Sequence, residues 1–185
     1  PGALMTMTAN AVLNRIVDTE STTDPSFILQ ELNQVLKETL HQNDNDLQRD
    51  DGLDIGLCSL NLNSGTLTYA GAKMTLYYSE NNEINQIKGD RHNLGYQRSR
   101  KNYKFTNHEL DLNHKTFYLT TDGFLDQHGG KNGKRFGRKK FIKLLKQHSH
   151  KNLKSQKEIF ATTLEDFMDT EEQRDDITLL GFRKQ

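Results

Sequence analysis

The spacing of apolar residues changes three times along the chain, and this order limits the possible folds more than any other feature. Apolar residues recur with helical spacing in the first forty residues, form short extended runs from 53 to 121, return to helical spacing from 141 to 168, and end in one extended run from 177 to 182. Two helices, a block of strands, two more helices and a strand indicate a layered α+β fold. The order disfavours a doubly wound parallel sheet, in which strands and helices alternate.

Sequence signals mark the start of two of the predicted helices. Asp24 can cap the second helix, with Pro25 at its first helical position. Ser155 and Glu158 have the spacing of a capping box and predict the start of the last helix. Between the second helix and the first strand, the polar segment 42–49 predicts a loop.

Extended apolar runs predict the strands. The turn signal Asn63-Ser64-Gly65 separates the first two runs, so we expect those two strands to form an antiparallel hairpin. The runs are Leu53–Leu62, Thr66–Ala70, Thr75–Tyr78, Ile84–Lys88, Tyr103–Leu112, Phe117–Thr121 and Ile177–Phe182.

Length and composition predict one domain over residues 1–185. No Pro-rich or Gly/Ser-rich stretch divides the chain, and 25 basic residues balance 25 acidic ones, so overall charge calls for no polyanionic partner. The single cysteine, Cys58, excludes a disulfide framework, indicates a cytoplasmic setting, and is interpreted as a small buried residue of its strand. No apolar run approaches the length of a membrane span, so we expect no membrane contact by this domain.

Two acidic motifs beside predicted strands are the candidates for chemistry. Asp122-Gly123 directly follows a strand, which would hold a carboxylate rigidly, although an isolated Asp-Gly is more often a simple turn. Asp175 and Asp176 precede the last strand, and two adjacent carboxylates repel each other unless a cation joins them. A divalent ion bound through their oxygens could join the two carboxylates, or the neighbouring Arg174 could neutralise them. From these residues alone, two interpretations stay open. The motifs form a metal site, or they are a simple turn at Asp122-Gly123 and an ordinary start of the last strand at Asp175 and Asp176.

Taken together, the two motifs resemble a known family. Thr120–Gln127 and Arg174–Leu180 resemble the last two metal motifs of bacterial metal-dependent serine/threonine phosphatases of protein phosphatase type 2C (PP2C), in the sporulation and stress-response branch of SpoIIE and RsbU type. The subgroup that the chain most resembles is the SiaA-type sensor phosphatases, in which this domain is the cytoplasmic end of a membrane-anchored protein. Other segments resemble the family in the same order, namely 50–57, 69–72, 88–95 and 136–138.

This resemblance implies a fold and a reaction. The fold is an α-β-β-α sandwich of two mainly antiparallel sheets flanked by helices, with a centre for two Mn²⁺ or Mg²⁺ ions. Asp122 and Asp175 correspond to metal ligands, Asp176 to a residue just outside the coordination sphere, and Gly123 to a point of close backbone approach. The implied substrate is a phosphorylated serine or threonine on a small regulatory protein of the anti-sigma-factor-antagonist type, attacked by metal-activated water.

The chain departs from the family at its start. The family carries two more ligand aspartates upstream, and Pro1-Gly2-Ala3 resembles the end of that upstream motif. We therefore expect a domain that lacks its N-terminal strands, binds metal weakly and has little activity by itself. Open sheet edges would favour a homodimer. The alternative to an enzyme is a non-catalytic interaction module that keeps the fold.

A strongly basic stretch has several possible explanations. The segment 131–146 contains eight Lys and Arg residues and no acidic residue. It could be an ordinary solvated surface, a docking face for a phosphorylated protein, or a nucleic-acid site. We expect no nucleic-acid partner, because the acidic segment 165–176 balances the charge and no nucleic-acid-binding motif is present.

Overall fold

The computed structural model describes residues 2–20, 22–40, 52–96 and 99–184. It divides the chain into two compact units, Pro1–Thr75 with Lys88–Asp111, and Leu76–Ile87 with Leu112–Gln185. The loop predicted at 42–49 lies outside the described residues. In chain order the elements are α1 (Gly2–Glu20), α2 (Pro25–Leu40), β1 (Ile55–Asn61), β2 (Thr66–Ala72), β3 (Thr75–Glu80), β4 (Glu83–Lys88), β5 (His108–Asp111), β6 (Thr116–Thr120), α3 (Asp122–Asp126), β7 (His128–Gly129), β8 (Lys134–Arg135), α4 (Gly137–His148), α5 (Leu153–Met168) and β9 (Leu179–Phe182).

The first unit packs two helices on an antiparallel sheet of order β1-β2-β5. The buried stripe of α2 includes Leu29, Leu32 and Leu36, which share one core with Ala70 and Ala72 of β2. Burial of these apolar side chains against the sheet stabilises a helix whose sequence alone would be marginal in water.

The two local signals predicted in the first unit are confirmed. The Asp24 carboxylate accepts hydrogen bonds from the backbone N–H groups of Ser26 at 2.9 Å and Phe27 at 3.1 Å, so it caps α2. β1 and β2 form an antiparallel hairpin in which Asn61 pairs with Thr66. Its turn contains Gly65 with φ of 70°, a left-handed conformation that glycine adopts without steric cost.

Cys58 lies half-buried in β1, and burial raises the pKa of its thiol to about 12. Because only the thiolate is nucleophilic, we expect native Cys58 to react with iodoacetamide at pH 8 about a thousandfold more slowly than the same residue in urea. Ionisation of the Cys58 thiol leaves the free energy of unfolding unchanged below its ordinary pKa of 9.0. As pH rises from 9.0 toward the native pKa, the same ionisation lowers the free energy of unfolding. Equal alkylation rates in the native and unfolded states would contradict this prediction.

The second unit combines a four-stranded sheet of order β4-β3-β6-β9 with α4 and α5. Pairing of β6 with both β3 and β9 is antiparallel. Aromatic side chains fill the core: Phe141 of α4 makes edge contacts with Tyr77 and with Phe124, each with 5.2 Å between ring centroids. The predicted α+β class with antiparallel sheets and flanking helices is therefore confirmed.

Some local predictions in the two units were wrong or incomplete. The capping box at Ser155 is wrong: α5 begins at Leu153, and its cap is Asn152, three residues before Ser155. The Asn152 side chain accepts from the Ser155 N–H at 2.8 Å. The strand predicted at 103–112 is limited to His108–Asp111. Helix α3 and the short β7-β8 hairpin were not predicted, because elements of two to five residues are too short to show a period.

None of the helices in the described part of the chain combines the length and apolarity that a bilayer crossing requires.

Candidate active site

Asp122 lies at the junction between the buried strand β6 and the helix α3. β6 lies between β3 and β9 in the sheet, and its first three residues are buried, so the position of its end is well determined. Thr121 has extended backbone angles and Asp122 is the first residue of α3. A carboxylate in the first turn of a helix is electrostatically favoured. The side chain of Asp122 is exposed.

Thr121 ties this strand end to the segment before β9. Its hydroxyl donates to the backbone carbonyl of Asp176 at 2.9 Å and accepts from the N–H of Thr178 at 2.9 Å. Its own N–H donates to the carbonyl of Thr178 at 3.1 Å. Three hydrogen bonds therefore hold residues 176–178 beside the start of α3.

Gly123 lets these two segments approach closely. A Cβ atom built on Gly123 would lie 2.4 Å from the backbone oxygen of Asp176. Real Cβ atoms do not approach backbone oxygens so closely, so any larger residue would push the two segments apart. Asp122 and Asp176 are therefore carried by backbone segments in direct contact.

The loop that carries Asp175 and Asp176 has its own internal order. The Asp175 carboxylate accepts from the N–H of Asp176 at 2.7 Å, and the Gln173 amide donates to the Asp175 carbonyl at 2.8 Å. Both aspartate side chains are exposed. Carboxylate oxygens are the donors that Mn²⁺ and Mg²⁺ prefer, so this donor set suits such an ion. Within the described ranges, however, no three His, Cys, Asp or Glu residues are grouped closely enough to hold one.

Gln127 is a buried residue of this region that the sequence did not single out. Only 1% of its surface is exposed. Its amide donates to the carbonyl of Glu172 at 3.0 Å, and its side-chain oxygen accepts from the N–H of Arg174 at 3.4 Å. Its backbone N–H donates to the carbonyl of Gly123 at 3.0 Å. Gln127 therefore links α3 to the loop that carries Asp175. No sequence signal distinguishes it from a surface glutamine.

Solved structures show the same fold. The chain is 37% identical to the SiaA-PP2C domain of Pseudomonas aeruginosa, with a TM-score of 0.89, covering 100% of this chain and 71% of that chain. The phosphatase domain of the cell fate determinant SpoIIE from Bacillus subtilis (Mn presoaked) is 11% identical, with a TM-score of 0.58 over 95% of this chain and 72% of that chain. A SpoIIE structure from the same organism with a fragment of the regulatory domain gives 14% identity and a TM-score of 0.71, over 98% and 50% of the two chains.

The family assignment rests on sequence as well as on fold. No curated protein matches the chain significantly. The sequence model of the family described as stage II sporulation protein E (SpoIIE) matches residues 1–185. Together with the SiaA similarity, this match confirms the family resemblance found in the sequence. The chain therefore belongs to the SpoIIE family and is a PP2C-type serine/threonine phosphatase domain.

Proposed function

We propose that residues 1–185 form one domain of a protein that, at full length, removes phosphate from phosphoserine or phosphothreonine on a regulatory protein, and that this domain by itself has little activity. Phosphatases of this family depend on Mn²⁺ or Mg²⁺. The observation that carries the proposal is the direct contact between Gly123 and the Asp176 carbonyl, which brings the two acidic motifs to one end of the sheet. Support for a single domain comes from the family match over the whole chain.

In this proposal Asp122 and Asp175 hold the metal through carboxylate oxygens, with Asp176 just outside the coordination sphere. A pair of bound ions supplies a water of lowered pKa and neutralises charge on the phosphoryl oxygens. The chain's own contribution is to position its carboxylates: Thr121 and Gly123 fix one segment against the other, and Gln127 orders the loop. Rigid placement matters because metal affinity depends on the number and order of the ligands.

The partner that we propose is a phosphorylated protein of the anti-sigma-factor-antagonist type. Support comes from the relatives: SiaA and SpoIIE, a cell fate determinant with a regulatory domain, suggest a signalling role. We further propose a cytoplasmic location, since a single cysteine in these 185 residues suits a reducing compartment. A homodimer, proposed from the sequence, can be checked by gel filtration with light scattering.

The test measures phosphate release from a phosphothreonine peptide by the full-length gene product, with and without Mn²⁺. We expect Asp122→Asn and Asp175→Asn each to lower Mn²⁺-dependent turnover by about a hundredfold, because each removes a charged metal ligand. Asp166→Asn, at an exposed position of α5, is the matched control and should keep its activity. Unchanged turnover in Asp122→Asn would refute the assigned role. A wild-type protein that shows no turnover with Mn²⁺ would instead support the non-catalytic interaction module.

A further inference from the structure

The second unit presents a strongly basic surface made by β8 and α4. From residue 127 to residue 157 the chain contains eleven Lys and Arg residues and no Asp or Glu. Six of these side chains, all exposed, are called the basic face below: Lys134, Arg135, Arg138, Lys139, Lys143 and Lys146.

Helix stability does not explain this charge arrangement. Lys139, Lys143 and Lys146 follow helical spacing along the side of α4 opposite the buried Phe141 and Leu145. Like charges at this spacing destabilise a helix. The first turn of α4 contains cations and no acid, although the positive end of a helix favours acidic residues. An arrangement that opposes folding in this way points to a function in binding.

Much of the positive charge is available to a partner. In the described part of the chain, Lys134, Lys139 and Lys143 form no ion pair. Arg135 pairs with Asp126 at 3.0 Å, and Lys146 pairs with Glu83. Both pairs are solvent-exposed, so they neutralise the surface only weakly.

The basic face adjoins the candidate active site. Asp126, which accepts from Arg135, is the last residue of α3, and Asp122 is the first. Four residues of helix span about 6 Å. Phe136, directly after β8, packs edge-on against Phe124 of α3 with 5.3 Å between centroids. A segment bound across the basic face would therefore lie next to a phosphoryl group at Asp122.

We propose that the basic face docks an acidic segment flanking the phosphorylated residue of the protein substrate. This inference rests on the proposed function and specifies the chemistry of its substrate. A protein segment fits better than a nucleic acid because α5 runs beside the hairpin, with the Gly130 N–H donating to the Phe167 carbonyl at 2.7 Å. The acidic residues of 165–176 begin there and limit the extent of the positive surface, so a short acidic segment can lie on it, whereas a continuous phosphate backbone that crossed them would be repelled.

The first experiment compares two fluorescent phosphoserine peptides of about 15 residues, one with glutamates flanking the phosphoserine and one with glutamines in their place. Binding to the unmodified full-length gene product is followed by anisotropy at about 50 and 200 mM NaCl, since surface ion pairs weaken with salt. We expect the acidic peptide to bind about tenfold more tightly at the lower salt concentration, with most of that advantage lost at the higher. Equal affinity for the two peptides would overturn the proposal.

The second experiment locates the effect. A triple variant, Lys134→Gln with Lys139→Gln and Lys143→Gln, should lose most of the tenfold preference. The control, Lys73→Gln with Lys88→Gln and Lys104→Gln, removes the same charge from exposed positions of the first unit and should keep the preference. An equal loss in both variants, or duplex DNA bound as tightly as the acidic peptide, would refute protein docking at this face. Because binding is measured without Mn²⁺ or Mg²⁺ and so without turnover, failure of the proposed phosphatase activity would be seen separately, in the Mn²⁺-dependent phosphate-release assay of the wild-type protein.

Discussion

Replacing Gly123 with alanine should strongly reduce metal-dependent phosphatase activity. The added Cβ would lie 2.4 Å from the backbone oxygen of Asp176, so α3 and the loop before β9 must separate. Such overpacking against backbone costs about 3 kcal/mol of unfolding free energy. Separation also moves Asp122 away from Asp175 and Asp176. We expect Mn²⁺-dependent turnover to fall by about a hundredfold, measured together with urea unfolding.

Gly181→Ala is the control for an added methyl group in the same unit. A Cβ at Gly181 would meet its nearest neighbour, the Tyr118 ring, at 3.4 Å, an ordinary contact distance. We expect this variant to keep wild-type activity and to change stability by less than about 1 kcal/mol. If Gly123→Ala behaves like Gly181→Ala, the close approach between the two acidic motifs is not required for function.

Replacing Gln127 with alanine should weaken both the fold and the metal site. The change removes hydrogen bonds to the Glu172 carbonyl and the Arg174 N–H and leaves a cavity at a position that is 1% exposed. We expect a loss of about 2–4 kcal/mol in unfolding free energy. Because the freed loop carries Asp175, the Mn²⁺ concentration that gives half-maximal activity should rise about tenfold.

Gln156→Ala is the control that separates the loss of stability from the change in Mn²⁺ requirement. Gln156 is also buried, accepts from the Tyr118 hydroxyl at 2.9 Å and donates to the Lys151 carbonyl at 2.8 Å, but it joins α5 to the loop after α4. Its loss should destabilise the protein by a similar amount and leave the Mn²⁺ requirement unchanged. A raised Mn²⁺ requirement in both variants would show that general loosening, not the loop at Asp175, controls metal affinity.

The sequence predicted those parts of the fold whose causes are local. Asp24 caps α2 through residues two and three positions away, and the turn at Gly65 joins neighbouring strands. The apolar stripe of α2 likewise needs only the helical period. The family motifs at Asp122 and Asp175 could be identified in the sequence for a similar reason, because each is a short contiguous segment next to an apolar strand.

The parts that the sequence did not predict depend on contacts between distant residues or on competition between neighbours. Asn152 and Ser155 are both good caps, and only the packing of α5 selects the first of them. Nothing near Gln127 in the sequence shows that its partners lie 45 and 47 residues away. The sequence by itself thus determined the order of the longer helices and strands, the α+β class and the identity of the acidic motifs. The tertiary structure alone decided that Gly123 contacts Asp176 and that Gln127 is buried, because both follow from chain segments that meet only after folding.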